Sequence, residues 1–286
     1  MTAARPRRSF IFCPGTRPEM FPKALASGAD IACVDLEDAI APAHKESARA
    51  KTLALFTDGP SDQSRVERVV RINALSSPEG EADVAAILAS PAPPPALMLP
   101  KVAGPEEIEA LDRRLTAAGL VTRLHVIIEC NDGLEQAYRI ARASGRLEAL
   151  FFGGVDMSAD LGCQPTWRAL LYARSRVVHA AAGAGLDVID VPYLDLEDAD
   201  GMAQEAEAAR ELGFCGKGAI HPKQIPALNA VFTPDAATVA RAKRILESFR
   251  HSEDGLVVID GKLIEKPVLR AMERVLAIAE RAGVAE

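Results

Sequence analysis

LHVIIECNDGLEQAYRIARASGRLEALFFGGVDMSADLG, residues 124–162, spells out one β-α-β unit and decides the fold. Two short apolar runs, Leu124–Ile128 and Leu147–Phe152, are rich in the branched and aromatic side chains of buried strands. Between them, Leu134–Ala143 has the pattern of an amphipathic helix, long enough to cross back over a sheet and start a parallel neighbour. An acid follows each run, Glu129 after the first and Asp156 after the second. In a parallel barrel the C-terminal strand ends face one mouth, so these two carboxylates can hold one cation and leave positions open for substrate.

Outward from this unit the same alternation recurs. Strand-like runs fall at Ser9–Cys13, Ile31–Asp35, Val69–Ile72, Ala96–Leu99, Asp187–Val191 and Phe214–Ile220, with Ala-rich amphipathic stretches such as Glu106–Ala118 between them. With the two quoted runs they make eight, which predicts an α/β fold, a (β/α)8 TIM barrel over residues 1–231. The eighth run is broken by Gly216 and Gly218, which weaken a strand but admit close backbone approach. The tight Pro-rich stretch Ser90–Pro95 leads straight into the fourth strand and is a surface connection, not a linker. Residues 232–286 read as a C-terminal helical extension: a helix around Ala236–Phe249, an apolar run Leu256–Ile259, a turn at Asp260–Gly261 and a last helix from Pro267. Such an extension is expected to cap the barrel mouth or reach a neighbouring subunit.

Composition narrows the functional classes. The 286 residues are 49% hydrophobic but only 5% aromatic, which suits Ala-rich helices around branched aliphatic strands. The net charge of −7 gives no pull toward nucleic acid or an anionic membrane, so an anionic ligand must be held by local Arg or Lys. Five scattered cysteines with no CxxC pair argue against a disulfide framework and a zinc site, and fit a cytoplasmic location. No apolar run approaches the ~20 residues that span a bilayer, and the N-terminal MTAARPRRSF lacks a signal-peptide core.

Seven segments collect at the predicted strand ends: CPGTRP (Cys13–Pro18), DLEDAI (Asp35–Ile40), RIN (Arg71–Asn73), LPK (Leu99–Lys101), IIE (Ile127–Glu129), FFGGVDMSADLG (Phe151–Gly162) and GKGAIHP (Gly216–Pro222). As an ordered set they resemble the citrate lyase beta-subunit-like family, within the HpcH/HpaI aldolase/citrate lyase superfamily, which includes malyl-CoA and citramalyl-CoA lyases. The resemblance runs from Ser9 to the last helix. It implies that Glu129 and Asp156 bind Mg²⁺, and hard carboxylate oxygens without a zinc-spaced Cys or His agree. Asp160 is expected to cap a helix or support the metal ligands.

Arg71 ends the third strand and either grips a substrate carboxylate or carbonyl oxygen, as the resemblance implies, or pairs with an acid of DLEDAI. In that motif Asp35, Glu37 and Asp38 are expected to orient metal waters or Arg71. Pro14, Gly15 and Arg17 resemble the family's segment beside the CoA arm, and a plain turn with solvated charges reads equally well. His221 reads as a core or supporting histidine, not a metal ligand. The extension carries one departure: DGKLIEKP places Glu265 where related enzymes carry an aspartate thought to act as acid/base. The extra methylene matters because a displacement of order 1 Å can cost roughly a hundredfold in rate.

The implied reaction is Mg²⁺-assisted cleavage or formation of a 3-hydroxyacyl-CoA, such as malyl-CoA or citramalyl-CoA, to acetyl-CoA and a 2-oxo acid. The alternatives are a malyl-CoA thioesterase, a catalytically silent acyl-CoA or oxo-acid binding protein, and an aldolase acting on free oxo acids. The resemblance further implies a homo-oligomer, a trimer or hexamer.

Overall fold

The computed structural model describes residues 6–57, 66–250, 256–259 and 262–284. These form two compact units, one of Arg7–Asn229 and one built from Ala230 onward. In the first, eight parallel strands close into a barrel in sequence order: β1 (Ser9–Pro14), β2 (Ile31–Asp35), β3 (Glu67–Arg71), β4 (Ala96–Leu99), β5 (Arg123–Ile128), β6 (Leu147–Phe152), β7 (Asp187–Asp190) and β8 (Gly216–Ala219). Register runs from Phe10 opposite Ile31 between β1 and β2 to Ile11 opposite Ala219 where β8 closes on β1.

Helices return the chain between strands: α1 (Phe21–Leu25), α2 (Lys45–Ala54), α3 (Pro78–Ala89), α4 (Pro105–Ala117), α5 (Asn131–Ile140), α6 (Gly154–Leu161), α7 (Trp167–Ala184) and α8 (Ala199–Leu212), and α9 (Ile225–Val231) follows β8. Their ends are written locally. Ser77 and Thr166 accept hydrogen bonds from the first-turn N–H groups of Gly80 and Ala169, and Pro78 and Pro105 sit at first positions where no N–H is needed. α7 stops at Gly185, whose φ of 73° ends the helix without a Cβ penalty.

The barrel core is a stack of buried side chains that includes Phe10, Ile31, Val69, Met98, Ile127 and Phe151. Phe10 packs edge-on against both Phe12 and Phe151, with ring centroids 5.1 Å apart in each case. The glycines of the eighth strand answer a packing demand: a Cβ at Gly216 would lie 1.9 Å from the Arg7 carbonyl oxygen, and one at Gly218 would meet Pro192 and Phe10 below 3 Å. The strand is shorter than Phe214–Ile220, and β3 begins two residues earlier than its apolar run because Glu67 is itself buried.

The second unit adds a β-hairpin to the helices. α10 (Ala236–Arg250) is followed by β9 (Leu256–Ile259), antiparallel to β10 (Lys262–Glu265), and by α11 (Lys266–Ala282), which packs against α10. The Asp260–Gly261 turn lies outside the described residues.

Candidate active site

Glu129 directly follows β5 and is 4% exposed, with its Oε1 accepting the backbone N–H of Lys101 at 2.8 Å. Its carboxylate passes over Gly153, where a Cβ would lie 2.4 Å from Glu129 Oε2 and 2.5 Å from its Cβ. The third position of the FFGG stretch is therefore glycine so that the β6 end can approach the neighbouring acid. Asp156 sits in the first turn of α6 with its side chain 42% exposed. Both acids line one cavity of about 250 Å³, together with Arg71, Asp38 and an apolar floor that includes Phe10, Met98 and Phe151.

Arg71 leaves the end of β3 and lies 4.7 Å from the centroid of the Phe12 ring. Asp35, at the end of β2, grips it with two parallel bonds, Nε to Oδ1 at 2.7 Å and Nη2 to Oδ2 at 2.8 Å. The same carboxylate accepts the N–H groups of Glu37 and Ala39, which folds the DLEDAI loop around it. The remaining guanidinium nitrogen, Nη1, stands 2.9 Å from Glu37 and 3.4 Å from Asp38. Arg71 is thus both an ion-paired residue and a wall of the cavity, and the paired acids hold its proton more tightly than that of an ordinary arginine, against the effect of burial.

Glu37 is buried, and neither of its carboxylate oxygens receives a hydrogen bond of good geometry although both stand at ion-pair distance from cations. Burial raises its pKa, and Asp38 adds to the rise against the opposing charge of Arg71. Burial, with the negative charges of Glu37 and Asp156, pushes Glu129 up to about 8. Five carboxylates (Asp35, Glu37, Asp38, Glu129, Asp156) thus share the mouth with two cations, Arg71 and Lys101. Oxygen donors, unmet carboxylate valence and an acid that burial and repulsion hold protonated all fit a hard divalent cation such as Mg²⁺. Cys130 contributes nothing to it, since its Sγ turns to the Val102 carbonyl oxygen.

Other sequence-selected residues take supporting places. Asp160 accepts the N–H of Asn131 and caps α5. His221 accepts the Lys223 N–H through Nδ1 and starts a short 3₁₀ turn. Pro14 closes β1, and Gly15 donates to the Asp35 carbonyl oxygen at 2.8 Å where a Cβ would strike Thr52 and Leu36; Arg17 is exposed and paired with Glu19. None of the three lines the cavity. Glu265 ends β10 in the second unit, and its side chain lies outside the described residues.

Three residues escaped the reading of the sequence. Lys45 from α2 donates to the carbonyl oxygens of Leu36 and Glu37 and to Asn73 Oδ1, pinning the DLEDAI loop. Asn73 itself is held by Asp83 through its backbone and side-chain nitrogens. Lys101, the last residue of LPK, extends its ammonium toward the acids. Only Lys101 and Asn73 stood inside recognisable motifs, and neither motif says where its side chain points.

A closed parallel barrel with an acid-lined mouth, an arginine at a strand end and an apolar floor defines a class of metal-assisted enzymes working on small oxyanions. Residues 8–222 match the HpcH/HpaI aldolase/citrate lyase family model, and the chain belongs to that family. It is 33% identical to the mitochondrial citramalyl-CoA lyase of Rattus norvegicus, over 96% of this chain and 86% of the relative. It is 32% identical to the L-malyl-CoA/beta-methylmalyl-CoA lyase of Cereibacter sphaeroides, covering 97% and 96%. Its fold matches the crystal structure of CitE from Mycobacterium tuberculosis in complex with magnesium, acetoacetate and coenzyme A, with a TM-score of 0.78, 31% identity and 99% and 100% coverage.

Proposed function

We propose that this chain is a Mg²⁺-dependent carbon–carbon lyase that cleaves, or in reverse forms, a 3-hydroxyacyl-CoA such as malyl-CoA or citramalyl-CoA, giving acetyl-CoA and a 2-oxo acid. The observation that carries the reading is the joining of Glu129, Asp156 and Arg71 around one apolar-floored cavity. Bound there, Mg²⁺ would supply Lewis-acid polarisation of the substrate oxygen that becomes the carbonyl.

Glu129 and Asp156 would hold the cation, and Glu37, with two oxygens free of well-formed hydrogen bonds, would support the site from beside them. Asp35 fixes the plane of Arg71, which then meets negative charge on the substrate without reorganising. In cleavage, the bond between the acyl α-carbon and the hydroxyl-bearing carbon breaks. Its electron pair stays with the thioester as an enolate, the hydroxyl loses its proton as the carbonyl forms, and the enolate carbon gains one. Glu265, from this chain or a neighbouring subunit, is the group we assign to these proton transfers, in place of the aspartate of related enzymes. Pro14, Gly15 and Arg17 are the segment we assign to the CoA arm. We further propose a homo-oligomer, a trimer or hexamer, and a cytoplasmic location, which the absence of paired cysteines among the described residues supports.

Purified protein with Mg²⁺ and either malyl-CoA or citramalyl-CoA, followed for oxo-acid and free-thiol release in parallel, tests the reading. Oxo acid without thiol is expected, and it should vanish in Glu129→Ala. Thiol alone would assign a thioesterase, and Mg²⁺-dependent CoA-ester binding without either product would overturn catalysis. Glu265→Gln should slow turnover and leave Mg²⁺ binding intact.

A further inference from the structure

Lys101 combines two unusual features. Its φ of 53° is the only positive value at a non-glycine residue among the described residues. A side-chain-bearing residue holds that conformation only where its surroundings over-determine it. The turn it makes after β4 has two results. It aims the Lys101 N–H at Glu129 Oε1, and it sends the side chain across the mouth, where Nζ stands 3.0 Å from Glu37 Oε1, 3.4 Å from Asp38 Oδ1 and 4.0 Å from Asp156 Oδ1. One ammonium therefore bridges acids from two different segments, the loop after β2 and the first turn of α6.

We propose that Lys101 is a built-in counter-ion that stands in for the divalent cation: its ammonium holds Glu37, Asp38 and Asp156 together when the metal is absent and swings outward when the metal binds. The inference rests on the assignment of Glu129 and Asp156 as metal ligands. An ammonium and a divalent ion within a few ångströms repel strongly in a partly buried site, and both are drawn to Asp156, which stands 4.0 Å from Nζ. With its side chain 41% exposed and on a flexible four-carbon stem, Lys101 has solvent to move into. The consequence is a metal site that stays assembled when empty and binds its ion less tightly than its carboxylates alone would. Lys101 is in this sense a positioning residue, acting through the acids and through the Glu129 hydrogen bond.

The test is Mn²⁺ titration of the chelator-treated full chain, with free Mn²⁺ read by electron paramagnetic resonance. Lys101→Met should bind Mn²⁺ about tenfold tighter than wild type, because one competing charge is gone. Lys101→Arg, which keeps the charge, should remain near wild type. Lys101→Gly gives a second route, since glycine tolerates this φ, keeps the N–H to Glu129 and removes the side chain with its ammonium; it should also tighten binding. Unchanged or weaker binding in both Lys101→Met and Lys101→Gly would overturn the proposal, because a merely structural lysine could only loosen the site when removed. Wild-type affinity in Glu129→Gln would show that the metal assignment itself is wrong, and the counter-ion role would fall with it.

Discussion

The two ends of the barrel use the same kinds of charged residue to opposite effect. At the N-terminal end Arg7 donates to Glu67, Glu148 and Asp187, and Arg123 adds contacts to Glu67 and Glu148. His125 completes the cluster, its Nε2 3.2 Å from Glu67 Oε1 and its ring stacked on Phe151. Glu67, His125 and Glu148 stand close enough to share a metal ion, but guanidinium groups already occupy the space between the acids. Burial would raise the Glu67 pKa, yet its pairing with His125 and Arg7 holds it well below the usual carboxylate range. At the C-terminal end the excess of acid is larger, five carboxylates against Arg71 and Lys101, Glu129 is pushed up to about 8 and Glu37 lacks well-formed hydrogen bonds. A cluster whose acids are bridged by guanidinium groups braces the fold, while one with a larger excess of acid invites a ligand.

The largest effect is expected from breaking the brace. Arg7→Met removes the one guanidinium that joins Glu67, Glu148 and Asp187, leaving Arg123 at 3.6 Å from Glu67 and 3.5 Å from Glu148, and should cost about 3–5 kcal/mol of stability, measured by denaturant unfolding. Turnover per folded molecule should remain near wild type, since Arg7 is not among the residues lining the cavity. Next is Gly153→Ala at the mouth, where the added methyl must displace Glu129. A misplacement of about 1 Å predicts roughly a hundredfold loss in kcat with little change in unfolding free energy. The opposite outcome, lost stability with full turnover, would mean that Glu129 only fills space.

The two ends differ equally in how far the sequence reveals them. Glu129, Asp156 and Arg71 stand at the ends of apolar runs, so counting strands places them at one mouth. The barrel itself is legible for the same reason, because apart from the glycine-broken eighth strand each strand carries an apolar run with a helical pattern beside it. The base cluster has no such marker. Glu67, Glu148 and Asp187 lie 60 to 180 residues from Arg7 and meet it only because eight strands start at one level. Gly153 is visible as one of two adjacent glycines, but only the pairing of Ile128 with Phe152 places it under Glu129. The left-handed turn of Lys101 is invisible in principle, since a lysine carries no signal for positive φ.

The smallest effect concerns protons. Glu129 keeps its proton to about pH 8 when folded, against 4.5 for an ordinary glutamate. The metal-free folded chain therefore binds more protons than the unfolded one within that window, and Glu129 makes it less stable as pH rises from about 4.5 to 8. A divalent cation takes the place of the proton, so Mg²⁺ affinity should rise by up to about tenfold per pH unit below 8 and level off above it. Isothermal titration between pH 6.5 and 9 reads this directly, and a flat profile would place the metal away from Glu129. No matching dependence is expected from the base cluster.

The most direct test of the contrast is the Mn²⁺ stoichiometry of three proteins: wild type, Glu129→Gln and Glu148→Gln. One ion per chain in wild type and in Glu148→Gln, with loss of binding in Glu129→Gln, is the predicted result. Loss in Glu148→Gln with binding retained in Glu129→Gln would put the metal at the base of the barrel and contradict the account.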